Sequence, residues 1–251
     1  MQEGVEIELW QDGGQVEQFS LTEVNPDTDP LTTALVVDVS SSMAGEPIAA
    51  ARQAATEFVN QLRVNDSVCL YTFATKINMA QACTTDHQLV ISVINQLDPV
   101  DDTALYDVLI RVSEDHLRWP GRQAIVVLSD GSDTVSQATL DMVLTHVQQS
   151  NIPLYMIGLI SEQFNGALLA QLAEATTGVY LETPSAADLQ ALYTQTQHQL
   201  SNQYRLDFTS LYPNRLSGVV TIRFISGEEV VETTREFFVQ QQERRPNEQL
   251  K

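Results

Sequence analysis

The 251 residues are 43% hydrophobic, enough for a core of ordinary size in one large domain or one domain with a small appendage. Thirteen Lys and Arg stand against thirty-three Asp and Glu, a net charge of −20, so the exterior repels a phosphate backbone or an anionic lipid face and nucleic acid is excluded as a partner. No stretch approaches the roughly 18 apolar residues of a membrane helix, so direct membrane insertion of this chain is not expected.

The opening MQEGVEIELW lacks the basic start and apolar core of a secretory leader, which alone does not place the protein in the cytosol. Val5, Ile7 and Leu9 alternate with Glu6 and Glu8, and QDGG turns the chain into a second predicted strand over residues 16–21.

From residue 31 to about residue 202 the pattern changes to apolar strands alternating with helical periods. That pattern gives a mostly parallel sheet with helices on both faces. Strands are predicted at residues 33–38, 67–73, 124–129, 153–159 and 179–181. Residues 77–82 follow the second of these too closely for a crossover helix and should fold back as an antiparallel edge strand. Ile48, Ala51, Ala55, Phe58, Val59 and Leu62 mark one helix, Leu105, Val108, Leu109 and Val112 another, and Leu140, Val143, Leu144 and Val147 a third. Asp86, Ser136 and the pair Ser185 and Asp188 are expected to cap helix starts, the last pair ahead of a helix at 186–200.

Cys69 and Cys83 fall on two neighbouring strands where a cross-strand bond is geometrically possible, and two buried free thiols are the expected state. His87, His116, His146 and His198 have no zinc-type spacing and receive no metal role.

Beyond residue 202 a period of two returns, with strands predicted at 204–208, 219–224 and 230–239 and a turn at Ser226 and Gly227. Short hairpins are marginal alone, so segments 1–30 and 203–240 are expected to join in a small β module, with the α/β domain at 31–202 inserted between them and a loose tail at 241–251.

The chemistry concentrates where strands run out. ALVVDVSSSM places Asp38, Ser40 and Ser42 at the carboxyl end of a strand, AIVVLSDGSD does the same for Asp130, and DDTALYDVLIRV sets Thr103 at a helix start. In an open parallel sheet that edge is where ligands bind. Two carboxylates and three hydroxyls converging from three loops make an all-oxygen site suited to a hard divalent cation, Mg²⁺ above zinc or copper.

Here the sequence resembles the von Willebrand factor A family. DVSSS matches the family's Asp-x-Ser-x-Ser, and Thr103 and Asp130 fall where the remaining residues of its metal-ion-dependent adhesion site lie. The resemblance implies a Rossmann-like doubly wound fold in which the Ser40, Ser42 and Thr103 hydroxyls hold the ion, while Asp38 and Asp130 act largely through water or hydrogen bonds. Neutral hydroxyls leave the ion electrophilic, so that it accepts an Asp or Glu carboxylate from a protein or peptide partner. Ser41 is expected to cap the following helix, and Asp133 to orient the Asp130 loop or serve a plain turn. Many relatives have glycines where this chain has Asp101 and Asp102, two acids that add charge near the opening and bear on the choice among Mg²⁺, Ca²⁺ and Mn²⁺ or on the ligand.

Function is therefore expected to be cation-dependent protein binding without catalysis. An intracellular scaffold docking on an ATPase or assembly complex is the second reading. A phosphotransferase is the remote third, because the second acid such enzymes use two residues after the first is Ser40 here and no Gly-rich phosphate cradle is present. The flanking β segments resemble those of secreted bacterial relatives, which favours an extracytoplasmic location. Nothing in the sequence sets the oligomeric state.

Overall fold

The computed structural model describes residues 6–25, 28–116, 118–119, 121–176, 178–183, 204–227 and 229–238. The chain divides into two compact units, Thr22–Arg205 and a second made of Met1–Leu21 with Leu206–Lys251.

The second unit holds β1 (Glu6–Gln11) and β2 (Gly14–Val16) from the first passage of the chain. The predicted strand over 16–21 is not continuous: β2 ends at Val16 and β3 (Phe19–Glu23) begins only after Glu17 and Gln18. Asp12 and Gly13, both with positive φ, make the turn between β1 and β2, a conformation that Asp tolerates and Gly adopts freely. Strand β4 (Leu31–Asp38) opens the larger unit.

Helix α1 (Glu46–Gln61) follows a short 3-10 turn at Ser41–Met43, and its Ile48, Ala51, Ala55, Phe58 and Val59 are buried as the sequence periodicity requires. Next come β5 (Ser67–Phe73), β6 (Ile77–Thr84), α2 (His87–Ile94) and α3 (Leu105–His116). They are followed by β7 (Arg122–Ser129), α4 (Leu140–Ser150), β8 (Leu154–Leu159), α5 (Gly166–Glu174) and β9 (Tyr180–Thr183). The sheet order is β6-β5-β4-β7-β8-β9, parallel throughout except for β6, which runs antiparallel to β5 at the edge. Alternation along β4 divides the core between the two faces. Leu35 and Val37 join Phe58 of α1 and Ile94 of α2, while Ala34 and Val36 join Leu109 of α3, Val143 of α4 and Leu169 of α5. Both faces being covered explains why β4, β7 and β8 read as continuous apolar runs.

The predicted cap at Asp86 accepts a hydrogen bond from the Leu89 N–H at 3.2 Å. Ser136 does not cap α4; Thr139 does, because the Ser136 hydroxyl donates to Asp133 at 2.6 Å and accepts from the Asp107 N–H at 3.2 Å. Helix α5 was not among the predicted elements, although Asn165 caps it by accepting from the Leu168 N–H at 3.2 Å. The predicted cap at Ser185 and Asp188, the helix at 186–200 and the tail at 241–251 lie outside the described residues.

The expected free thiols are replaced by a disulfide. Cys69 on β5 and Cys83 on β6 are bonded, with their Cα atoms 3.9 Å apart. Register shifts between Val68 and Tyr71 bring the two cysteines opposite one another, a feature the residue pattern does not display. Reduction should lower unfolding free energy by ~2 kcal/mol. Thermal melts of wild type and of the Cys69→Ala, Cys83→Ala variant, with and without reductant, measure it, and a reductant effect that persists in the variant argues against this bond as its source.

In the smaller unit, β11 (Ser217–Ser226) and β12 (Glu229–Phe238) pair across the predicted turn at Gly227. They extend an antiparallel sheet ordered β12-β11-β1-β2, so strands from both ends of the chain share it. Leu9, Val16 and Val220 form its buried core with Phe208 and Phe237, whose rings meet edge-on at 6.4 Å. Strand β10 (Tyr204–Phe208) pairs with β3 in a separate two-stranded sheet.

Candidate functional site

The five residues singled out in the sequence all stand at the carboxyl edge of the parallel sheet. Asp38 is the last residue of β4 and Asp130 follows the last residue of β7, the adjacent strand. Both are fully buried, and so nearly are Ser40 and Thr103.

Each Asp38 oxygen is held. Oδ1 accepts from the Ser40 N–H at 2.8 Å, and Oδ2 from the Ser129 hydroxyl at 2.7 Å. The first bond folds the chain back at Ser40, and Ser40 Oγ then lies 3.1 Å from Ser42 Oγ. Ser41, between them, is exposed and opens the 3-10 turn; neither that turn nor α1 after it has a side-chain cap, contrary to the capping role expected of Ser41. Asp130 is held in the same way, Oδ1 by the Ser132 N–H at 3.0 Å and Oδ2 by the Ser161 hydroxyl at 2.8 Å. Gly131 next to it has φ +80, and a Cβ there would lie 2.6 Å from the Asn165 carbonyl, so only glycine allows this turn.

Backbone hydrogen bonds stitch the three loops together. Val100 N–H donates to the Val39 carbonyl at 2.7 Å and Ser41 N–H to the Asp101 carbonyl at 2.9 Å, tying the Thr103 loop to the serine loop. Thr103 and Thr134 exchange bonds: Thr103 N–H reaches Thr134 Oγ1 at 3.0 Å, and Thr134 N–H reaches the Thr103 carbonyl at 2.9 Å. Ser132 Oγ lies 3.4 Å from Thr103 Oγ1, which brings a hydroxyl of the Asp130 loop beside the threonine. Asp133 orients its loop, accepting from the Tyr106 N–H at 3.1 Å as well as from Ser136. Asp101 takes a left-handed conformation with φ +58, which accounts for glycine being the commoner residue type at such a position.

Burial pushes the Asp38 carboxyl up to about 6. The hydrogen bonds from Ser40 and Ser129 oppose that rise, and the Asp130 charge adds to it. Among the described residues, no Lys, Arg or His forms an ion pair with Asp38 or Asp130. Two buried carboxylates without a cationic partner, beside uncharged hydroxyls, form a donor set that fits a hard divalent cation. No cage of three His, Cys, Asp or Glu side chains occurs among the described residues.

Ser129, Ser132 and Ser161 escaped the sequence reading. Ser129 and Ser132 flank Asp130 inside LSDGSD, where a polar residue bracketing a strand-end acid was an available signal; Ser161 lies 31 residues from its partner and offered none.

A family model of the von Willebrand factor type A domain matches residues 33–132, from within β4 to the Asp130 loop. Over those residues this chain is similar to the von Willebrand factor type A domain, and its fold is A-domain-like. The inter-alpha-trypsin inhibitor heavy chain H3 of Rattus norvegicus is 23% identical over 223 residues, covering 80% of this chain and 25% of that protein. The chain thus spans about a quarter of that relative's length. Among solved structures, a von Willebrand factor type A protein from Catenulispora acidiphila superposes with a TM-score of 0.65 at 12% identity, over 95% of this chain and 74% of that one. The vWF domain of the type V pili tip protein Mfa5 from Porphyromonas gingivalis gives a TM-score of 0.56 at 13% identity, covering 72% of this chain and 98% of that one. At such identities the structural likeness concerns the fold of the A domain, and the site stands on its own geometry.

Proposed function

We propose that this A domain is a non-enzymatic protein-binding module in which one divalent cation, Mg²⁺ first and Ca²⁺ or Mn²⁺ as alternatives, bridges to an Asp or Glu carboxylate of a partner. The reading is carried by Asp38, a buried carboxylate with no cationic partner among the described residues, whose backbone anchor sets the Ser40 and Ser42 hydroxyls 3.1 Å apart. Ser40, Ser42 and Thr103 would hold the ion, and Asp38 and Asp130 would balance its charge from behind. A bound cation supplies an electrophilic centre for an incoming carboxylate. This chain's residues keep that centre fixed: Ser129 and Ser161 orient the two carboxylates, and the Thr103–Thr134 exchange holds the threonine loop.

An extracytoplasmic location belongs to the same proposal. It draws support from the Cys69–Cys83 disulfide, a bond that persists in oxidising compartments, and from the likeness to a pilus tip domain. No helix of the described residues is long and apolar enough to cross a membrane.

Calorimetric titration of Mg²⁺, Ca²⁺ and Mn²⁺ into protein stripped with chelator tests the reading. Wild type is expected to give saturable heat, and the Ser40→Ala, Ser42→Ala variant to lose it by on the order of 100-fold in affinity with its circular dichroism unchanged. Equal heats from both proteins, or none from either, would remove the cation from the proposal.

A further inference from the structure

The four loops that frame the site carry an unusual combination of side chains. Residues 39–47, 95–104, 130–139 and 159–165 contain no Lys, Arg or His, while Glu46, Asp98, Asp101, Asp102, Asp133 and Glu162 all lie within them. Asp101, Asp102 and Glu162 are exposed. Asp98 is partly neutralised by Arg52 at 2.9 Å, and Lys76 stands on the β5–β6 turn whose Thr75 hydroxyl holds the Asp102 N–H. On the same loops, Val100 is 51% exposed, Val135 39% and Ile160 46%.

These three apolar residues are bound into the site's frame rather than scattered. Val100 N–H bonds the Val39 carbonyl beside Asp38, Val135 N–H bonds the Thr103 carbonyl, and Ile160 precedes Ser161, which holds Asp130. The loops that carry the site's polar residues therefore also carry exposed aliphatic and acidic residues.

We propose, resting on the cation reading above, that the mouth these loops form selects a protein segment whose single ligand carboxylate is flanked by aliphatic residues and, beyond them, by Lys or Arg. Aliphatic flanks remove Val100, Val135 and Ile160 from water, as at the apolar centre of a binding hot spot. Basic flanks meet Asp101, Asp102 and Glu162, and a second acid beside the ligand carboxylate meets like charge on every side. The acidic rim thus acts against most acidic peptides that a bare cation would accept.

Three synthetic peptides in 5-residue frames test this by fluorescence anisotropy with excess Mg²⁺: acetyl-Lys-Ile-Asp-Ile-Lys-amide, acetyl-Gly-Gly-Asp-Gly-Gly-amide and acetyl-Glu-Ile-Asp-Ile-Glu-amide. The first is expected to bind about 10-fold more tightly than the second, and the third more weakly than either, with the spread narrowing several-fold as salt screens the rim. Asp101→Asn with Asp102→Asn should erase the advantage of the lysines, since Asn also tolerates the left-handed turn at 101. Val100→Ser with Ile160→Ser should erase that of the isoleucines. Mg²⁺ heat with all three peptides binding alike, or with the glutamate peptide strongest, overturns this selectivity and leaves the cation reading intact. Absence of Mg²⁺ heat, with the lysine peptide still preferred in chelator, overturns the cation bridge and keeps the selective mouth. No binding of any peptide, despite Mg²⁺ heat, overturns the selectivity as well.

Discussion

In cation-free protein at pH 7.5, Asp38→Asn is expected to raise unfolding free energy by up to about 3 kcal/mol while abolishing Mg²⁺ uptake. The carboxyl is fully buried and its folded pKa is raised from 3.8 to about 6. For an acid raised in this way, the folded state favours the protonated form. Stability from this group is full below pH 3.8 and is lost as pH rises through 6, and each tenfold difference in proton affinity between the folded and unfolded chains corresponds to about 1.4 kcal/mol. Asn keeps the oxygen that accepts from the Ser40 N–H, and the Ser129 hydroxyl can turn to accept from the new amide. Urea unfolding in chelator at pH 7.5 and at pH 4 measures both effects. The gain should be large at the higher pH and small at the lower. If the variant proves less stable in chelator at pH 7.5, the hydrogen bonds to the ionised carboxylate outweigh its desolvation, and the buried charge is no longer a reason to seek a cation. Adding Mg²⁺ should reverse the ranking, because ligand that binds only the folded wild type stabilises it by mass action.

A residue that lowers the stability of the isolated chain and is relieved by a ligand is a mark of a functional site rather than of a core. The same contrast governs how much of the molecule was legible in its sequence. The parallel sheet was readable because burial on both faces makes β4, β7 and β8 unbroken apolar runs, and the edge strand β6 because seven residues of Ser67–Phe73 are followed too soon by another strand for a crossover. The placement of Asp38, Ser40, Ser42, Thr103 and Asp130 at the carboxyl edge of the sheet was readable because each follows such a run or precedes the next helix. What failed depended on partners distant in sequence. Ser136 looks like a helix cap until Asp107 and Asp133, on a neighbouring helix and loop, engage its segment; Asp107 takes the Gln137 and Ala138 N–H groups at 3.0 and 2.9 Å. Cys69 and Cys83 could be assigned as a bond only with the bulged register of β5 and β6 in hand. The support given by Ser161 to Asp130 crosses from the end of β8 to the end of β7, and no local pattern encodes it.

Acid should destabilise the larger unit through His116, by about 2 to 3 kcal/mol between pH 7.5 and pH 4.5. His116 ends α3 fully buried, and neither ring nitrogen has a hydrogen-bond partner among the described residues. Burial pulls its pKa down from 6.5 to about 4, only partly offset by the charge of Asp115 beside it. Asp115 is itself engaged by Arg111 Nε at 2.8 Å and the Tyr71 hydroxyl at 3.3 Å, which draws its charge away from the imidazole. For a histidine lowered in this way the sign is opposite to that of Asp38. The stability is present above pH 6.5, where the ring is neutral in both folded and unfolded chains, and it drains as pH falls towards 4 because the unfolded chain takes up the proton first. Other acids titrate over the same range, so the informative quantity is a double difference, wild type against His116→Leu and pH 7.5 against pH 4.5, in which packing changes common to both pH values cancel. The variant is expected to lose about 2 to 3 kcal/mol of the acid sensitivity. An identical pH slope in the two proteins would mean that His116 gains a proton acceptor on acidification, and the helix end around it would then have to open without unfolding the sheet.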